Sequence, residues 1–115
     1  MIALGVVAAV AVASTAIGGG GTLSLTNPAA GEYAGKVSGV AGKCKRGRNV
    51  TVRHDQDKDG YDSGDFKIGS DRTNRRGRYE VTGPQAPPGD QIAAKAARKK
   101  SRNCKALETT ATAGP

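Results

Sequence analysis

Residues 54–66 (HDQDKDGYDSGDF) form the one stretch whose residue types and spacing could do chemistry. Asp55, Asp57 and Asp59 occupy alternate positions and Gly60 follows. This is the opening half of a calcium loop, in which successive carboxylates point inward and the glycine permits a sharp turn. Carboxylates this close repel unless a cation neutralises them, and a hard divalent ion would take Asp62, Ser63, Asp65 and the Tyr61 carbonyl as further oxygen donors. The twelfth position holds Phe66, where an EF-hand needs a bidentate Glu, and the flanks read as strands, so the loop is not an EF-hand. Two readings stand on the residues alone. One is a calcium site built on Asp55, Asp57, Asp59, Asp62 and Asp65. The other, with no cofactor at all, is a solvated Asp/Gly-rich hairpin loop whose charge is screened and offset by Lys58 and neighbouring arginines.

No reaction is legible. The single His, His54, falls at the end of a predicted strand beside Asp55, and none of Ser38, Ser63, Ser70 or Ser101 sits in a nucleophile elbow. The runs GGGG and GKCKRGR lack the order of a phosphate-binding loop. The paired carboxylates of the Asp loop lack an apolar wall that would raise one pKa. The chain reads as non-enzymatic.

Charge is distributed in blocks. Residues 55–65 hold five Asp and one Lys, a net −4, while the rest of the chain carries 17 basic and 5 acidic residues, a net +12. Arg72, Arg75, Arg76 and Arg78 gather about a predicted turn, and Lys99 and Lys100 lie in a second basic block, RKKSR. Such clusters neutralise polyanions with salt-sensitive affinity, here a cell-wall polymer or nucleic acid, or else serve as solvated faces. Specific nucleic-acid recognition is not expected, because no helix-turn-helix, zinc-finger or RNP pattern occurs and only three Tyr and one Phe are available for stacking.

The elements that must position these residues are short. The chain is 115 residues long with 17 Gly and no Trp, room for one small domain with a thin core. Residues 2–17 are apolar and free of charge, and at about 1.5 Å per residue they reach about 24 Å, short of the ~30 Å hydrocarbon core. They read as a signal peptide or apolar leader, residues 1–17, and not as a stable span in the mature protein; a basic residue before the apolar run is missing. Residues 18–31 read as a Gly-rich polar linker and residues 109–115 as a disordered tail. Between them, residues 33–40, 48–54, 66–73 and 78–82 alternate apolar with polar residues, the period of half-buried strands. Residues 90–107 are ambiguous, since Asp90 and QIAAKAARKK suit a capped helix while Ile92, Ala94 and Ala96 alternate as in a strand.

The runs GKVSGVAGKCKRGRNVTV, FKIGSDRTNRRGRYEV, APPGDQIAAKA and NCKAL, in this order, resemble secreted bacterial domains related to carboxypeptidase regulatory-like and prealbumin-like β-sandwiches. The likeness covers about residues 33–108 and rests on Cys44, Gly47, Arg48, Val50, Gly69, Thr73, Gly77, Tyr79, Pro88, Gly89 and Cys104. It implies a strand, not a helix, over residues 91–98. The Asp-rich insert departs from it, as does the Ala-rich segment. Cys44 and Cys104 are the only cysteines, and in an exported small domain an even number predicts a disulfide, here closing about 60 residues. The expectation is therefore an all-β protein: a small antiparallel β-sandwich of six or seven strands over residues 32–108. It would be secreted or held at the cell surface, with a structural or accessory interaction role.

Overall fold

The computed structural model describes residues 13–16, 21–62, 64–99 and 103–115. Nine strands and one short helix follow in the order β1 (Ala13–Ala16), β2 (Thr22–Leu23), β3 (Thr26–Ala29), β4 (Glu32–Ser38), α1 (Gly42–Lys45), β5 (Asn49–His54), β6 (Phe66–Arg72), β7 (Arg78–Thr82), β8 (Gln91–Ala96) and β9 (Leu107–Thr112). They pair antiparallel into two sheets, one ordered β1-β9-β8-β5-β6 and one in which β4 lies between β7 and the consecutive short strands β2 and β3.

The period-two pattern decides which side chains meet. Val50 and Val52 of β5, and Tyr79 and Val81 of β7, are buried while their neighbours Asn49, Arg78 and Glu80 are exposed. With Leu23, Leu25, Tyr33, Val37, Ile68, Ile92 and Leu107 they form one core shared by both sheets. Bulk is scarce, so backbones approach closely where a side chain is missing. At Gly35 a Cβ would collide with the Ser24 carbonyl, and that gap lets the Tyr79 hydroxyl donate to the Ser24 carbonyl oxygen at 2.6 Å. The segment 90–107 resolves in favour of the strand, because β8 fills the position between β5 and β9 with hydrogen bonds on both edges. A helix there would leave both neighbours with open ladders.

Three boundaries differ from the sequence reading. Residues 22–29 are strands and not a linker: Leu23 and Leu25 are fully buried, and Asn27 donates to the carbonyls of Ala29 and Glu32 and to Gln85. Residues 109–115 are not a disordered tail, since β9 runs to Thr112 and the Ala113 N–H donates to Asp90 O at 2.8 Å. The Gly114 N–H donates to Asn27 Oδ1 at 2.9 Å, and Thr109, Ala111 and Ala113 are buried. Small, polar Thr and Ala still alternate faces, and β8 needs a partner on its second edge. Among the described residues nine strands occur, six of them beginning within residues 32–108, the span for which six or seven were expected. Of the expected leader, residues 13–16 form β1, which pairs with β9; residues 1–12 and 17–20 lie outside the described residues.

The disulfide joins Cys44 to Cys104 with a Cα–Cα distance of 5.6 Å. Beside it lies the largest fully buried side chain, Arg48, 1% exposed. Its guanidinium donates to the carbonyls of Cys44 (2.8 Å), Ala97 (3.1 Å) and Lys105 (2.6 Å), and its burial lowers its pKa from the ordinary guanidinium range. The α1 segment, the end of β8 and the approach to β9 are thus tied together by one planar fork of donors.

Candidate metal centre

The β5–β6 connection carries the Asp-rich loop, and β5 continues into it without a break: the Asp55 N–H donates to Gln91 O at 2.9 Å, prolonging the ladder with β8. That ladder places the Asp55 side chain in the interior, where it is 0% exposed. Its Oδ2 accepts from Gln91 Nε2 at 2.6 Å and from the Gly60 N–H at 2.9 Å. Its Oδ1 is buried and has no hydrogen-bond partner. Such an atom is costly in a carboxylate, whose desolvated oxygens need donors or a cation. The turn that brings the chain back uses Lys58 and Gly60 at positive φ, 59° and 97°, the glycine as its position in the motif requires.

Asp57, Asp59 and Asp65 converge on Asp55, each offering an oxygen, with all four oxygens within 4.8 Å of one another. Calcium–oxygen bonds of about 2.3–2.6 Å allow opposite ligands up to about 5 Å apart, whereas magnesium at about 2.0–2.1 Å allows only about 4.2 Å. The four oxygens lie close enough together to hold a metal ion. Asp65 stands one residue before the twelfth loop position and supplies the carboxylate that Phe66 cannot; its Oδ2 is also buried without a partner. Asp65 is aimed by its neighbours: its N–H donates to Asp62 O at 3.0 Å, and its own carbonyl accepts from Arg53 Nη1 at 2.7 Å.

Asp62, expected as a ligand, is outside this group. Its Oδ1 instead accepts the Gly64 N–H at 2.9 Å, a local turn two residues on, so its role is to shape the return that places Asp65. Ser63 lies outside the described residues. Tyr61, which the sequence offered only as a carbonyl donor, folds across the outer face of the larger sheet. Its hydroxyl accepts from Arg53 Nε at 3.0 Å, and its ring lies 5.4 Å from the Arg53 guanidinium and 5.6 Å from the Lys95 ammonium. Those contacts were invisible in the sequence, because Arg53 and Lys95 come from β5 and β8. His54 is half-buried, its Nε2 2.9 Å from Asp90 Oδ2.

The electrostatics follow from the crowding. A hydrogen bond between the Asp57 and Asp59 carboxyls holds Asp57 below the usual carboxylate range. The same bond pushes Asp59 up to about 6, with burial and the charges of Asp57, Asp55 and Asp62 adding to the rise. Asp65 is raised by desolvation and by Asp55, Asp57 and Asp62, with Arg53 opposing. Without a cation, protonation of Asp59 below about pH 6 is the other way to relieve this crowding.

The basic residues sit elsewhere. Antiparallel pairing of β5 with β6 sets His54 opposite Phe66 at the acidic end and Asn49 opposite Arg72 at the other. Arg75, Arg76 and Arg78 line the β6–β7 turn, exposed, while Arg72 donates to Asn49 Oδ1 at 3.4 Å. Lys99 is less available than the sequence suggested: its ammonium donates to the carbonyls of Lys43 (3.0 Å) and Arg46 (2.8 Å). Lys100 lies outside the described residues. Comparison with protein-family models, curated proteins and solved structures finds no match.

Proposed function

We propose that this chain is a non-enzymatic exported β-sandwich module, of the carboxypeptidase regulatory-like or prealbumin-like kind, in a structural or accessory interaction role. Calcium held by Asp55, Asp57, Asp59 and Asp65 completes its fold. The observation that carries the reading is the buried, unpartnered Asp55 Oδ1 inside a group of four carboxylates whose oxygens lie within 4.8 Å. A cation among them would partner the interior carboxylate atom and offset the like charges around it. Export is supported by the disulfide, which persists in oxidising compartments, and by the apolar N-terminal run.

The test is thermal unfolding of the oxidised chain in EDTA and in about 2 mM calcium at fixed ionic strength. An ion bound only to the folded form at 100 times its Kd adds about 2.7 kcal/mol, a midpoint rise on the order of 10 °C for a domain of this size. A rise of several degrees that magnesium does not reproduce supports the site. Equal midpoints in EDTA and calcium refute it and leave the loop as a solvated hairpin.

A further inference from the structure

The fold gathers basic residues that are distant in the chain. Thr73 is the hub: the Gly47 N–H donates to its carbonyl at 3.0 Å, its N–H donates to Arg48 O at 2.9 Å, and its hydroxyl donates to Lys45 O at 2.6 Å. The Val37 N–H donates to Gly77 O at 2.8 Å, and a Cβ on Gly77 would stand 3.3 Å from Lys45 Cγ. The α1 segment and the β6–β7 turn are therefore one surface, at the end of β5 and β6 opposite the Asp loop. The six residues of β5 put about 20 Å between the two ends.

That surface presents Lys43, Arg46, Arg75, Arg76 and Arg78, all exposed. Among the described residues, none of these four arginines has a carboxylate partner or a side-chain acceptor. Asp71 and Glu80 share a hollow with Arg78, and Asp71 Oδ2 is engaged with the Glu80 N–H at 2.9 Å. The turn is held in advance of any ligand. Asn74 Oδ1 accepts the N–H groups of Arg76 (2.9 Å) and Arg78 (3.1 Å), and the Gly77 N–H closes on Asn74 O at 2.9 Å with Gly77 at φ 83°. Asn74, Arg75, Arg76 and Arg78 line an open hollow of about 540 Å³. No aromatic ring is available beside it: Tyr33 and Tyr79 are buried, and Tyr61 and Phe66 belong to the acidic end.

We propose that this basic end binds a linear phosphate polymer without bases, reading the repeated charge of the chain through Arg75, Arg76 and Arg78 on one side and Lys43 and Arg46 on the other. Planar guanidinium forks suit tetrahedral oxyanions, and a turn ordered beforehand spares part of the entropy of binding. A nucleic acid would find the same phosphates matched and its bases without a stacking platform. The site is independent of the calcium loop.

The experiment is titration of the full chain with fluorescently labelled long-chain inorganic polyphosphate, with single-stranded oligothymidylate of similar charge as competitor. Five cations on a flexible chain predict a slope of log affinity against log salt of about −3.5, a loss of about 100-fold between about 50 and 200 mM salt. Arg75→Gln/Arg76→Gln is expected to weaken binding and reduce the slope by about 1.4. Lys58→Gln/Lys67→Gln, which removes the same charge at the opposite end, is expected to leave both nearly unchanged. Absence of binding at low salt overturns the proposal. Equal losses from both double cationic variants overturn it in favour of net charge alone, and oligothymidylate binding tighter than polyphosphate overturns it in favour of nucleic acid.

Discussion

Arg48 makes the sharpest structural prediction. Replacing it with Met keeps the buried volume and removes the charge together with three hydrogen bonds, to Cys44, Ala97 and Lys105, at 2.6–3.1 Å. Hydrogen bonds to charged groups contribute about 1.5–3 kcal/mol each, so the lower bound for three is about 4.5 kcal/mol, and burying the Met side chain returns a fraction of it. A net loss of about 4 kcal/mol is expected, a large share of the 5–15 kcal/mol typical of a domain. The assay is equilibrium unfolding in guanidinium chloride with the disulfide intact, followed by far-ultraviolet circular dichroism. The midpoint should fall with an unchanged slope. Arg48→Lys should fall between the two, because one ammonium cannot span three carbonyls set around a planar fork; it also keeps the measurement open if the Met variant does not fold. A loss below about 1 kcal/mol for Arg48→Met would refute the reasoning. It would mean that the three carbonyls find water without the guanidinium and that the disulfide alone ties these segments.

Removing the disulfide in Cys44→Ala/Cys104→Ala releases a constraint over a sequence separation of 60, which the chain-entropy treatment puts at about 4 kcal/mol; guanidinium unfolding should show the drop, with Arg48 keeping the native state populated at 25 °C. Asp57→Asn/Asp59→Asn should raise the thermal midpoint in EDTA, by relieving like-charge repulsion, and abolish the response to calcium. A midpoint that falls in EDTA would show that these carboxylates stabilise the metal-free loop. The pH dependence has a definite sign. Asp59 is raised to about 6 in the folded chain, so its contribution favours the fold at acid pH and is lost as pH climbs through about 6; Asp65 acts in the same direction and Asp57 against it. Thermal midpoints in EDTA should therefore decline from pH 5 to pH 7. In calcium they should not, since the ion needs these groups ionised.

The sequence by itself determined four of the strands, β4 to β7, because residues such as Val50, Val52, Tyr79 and Val81 carry a period that only a strand can bury on one side, whereas Ile92, Ala94 and Ala96 left β8 open between helix and strand. It also specified the first three carboxylates of the candidate metal group, Asp55, Asp57 and Asp59, whose spacing is local, and the cysteine pair, which had no other partner. Tertiary structure decided the rest. The short strands β2 and β3 and the final strand β9 are too small and polar to announce themselves, and they form because β4 and β8 need partners on their open edges. The choice of Asp65 over Asp62 depended on a turn geometry that composition does not express, and Arg48 reads as one more surface cation until three remote carbonyls close around it. The basic end likewise exists only once Thr73 draws the residues around Lys45 and Arg76 together. Local spacing is written in the chain; which distant groups satisfy one another is written only in the fold.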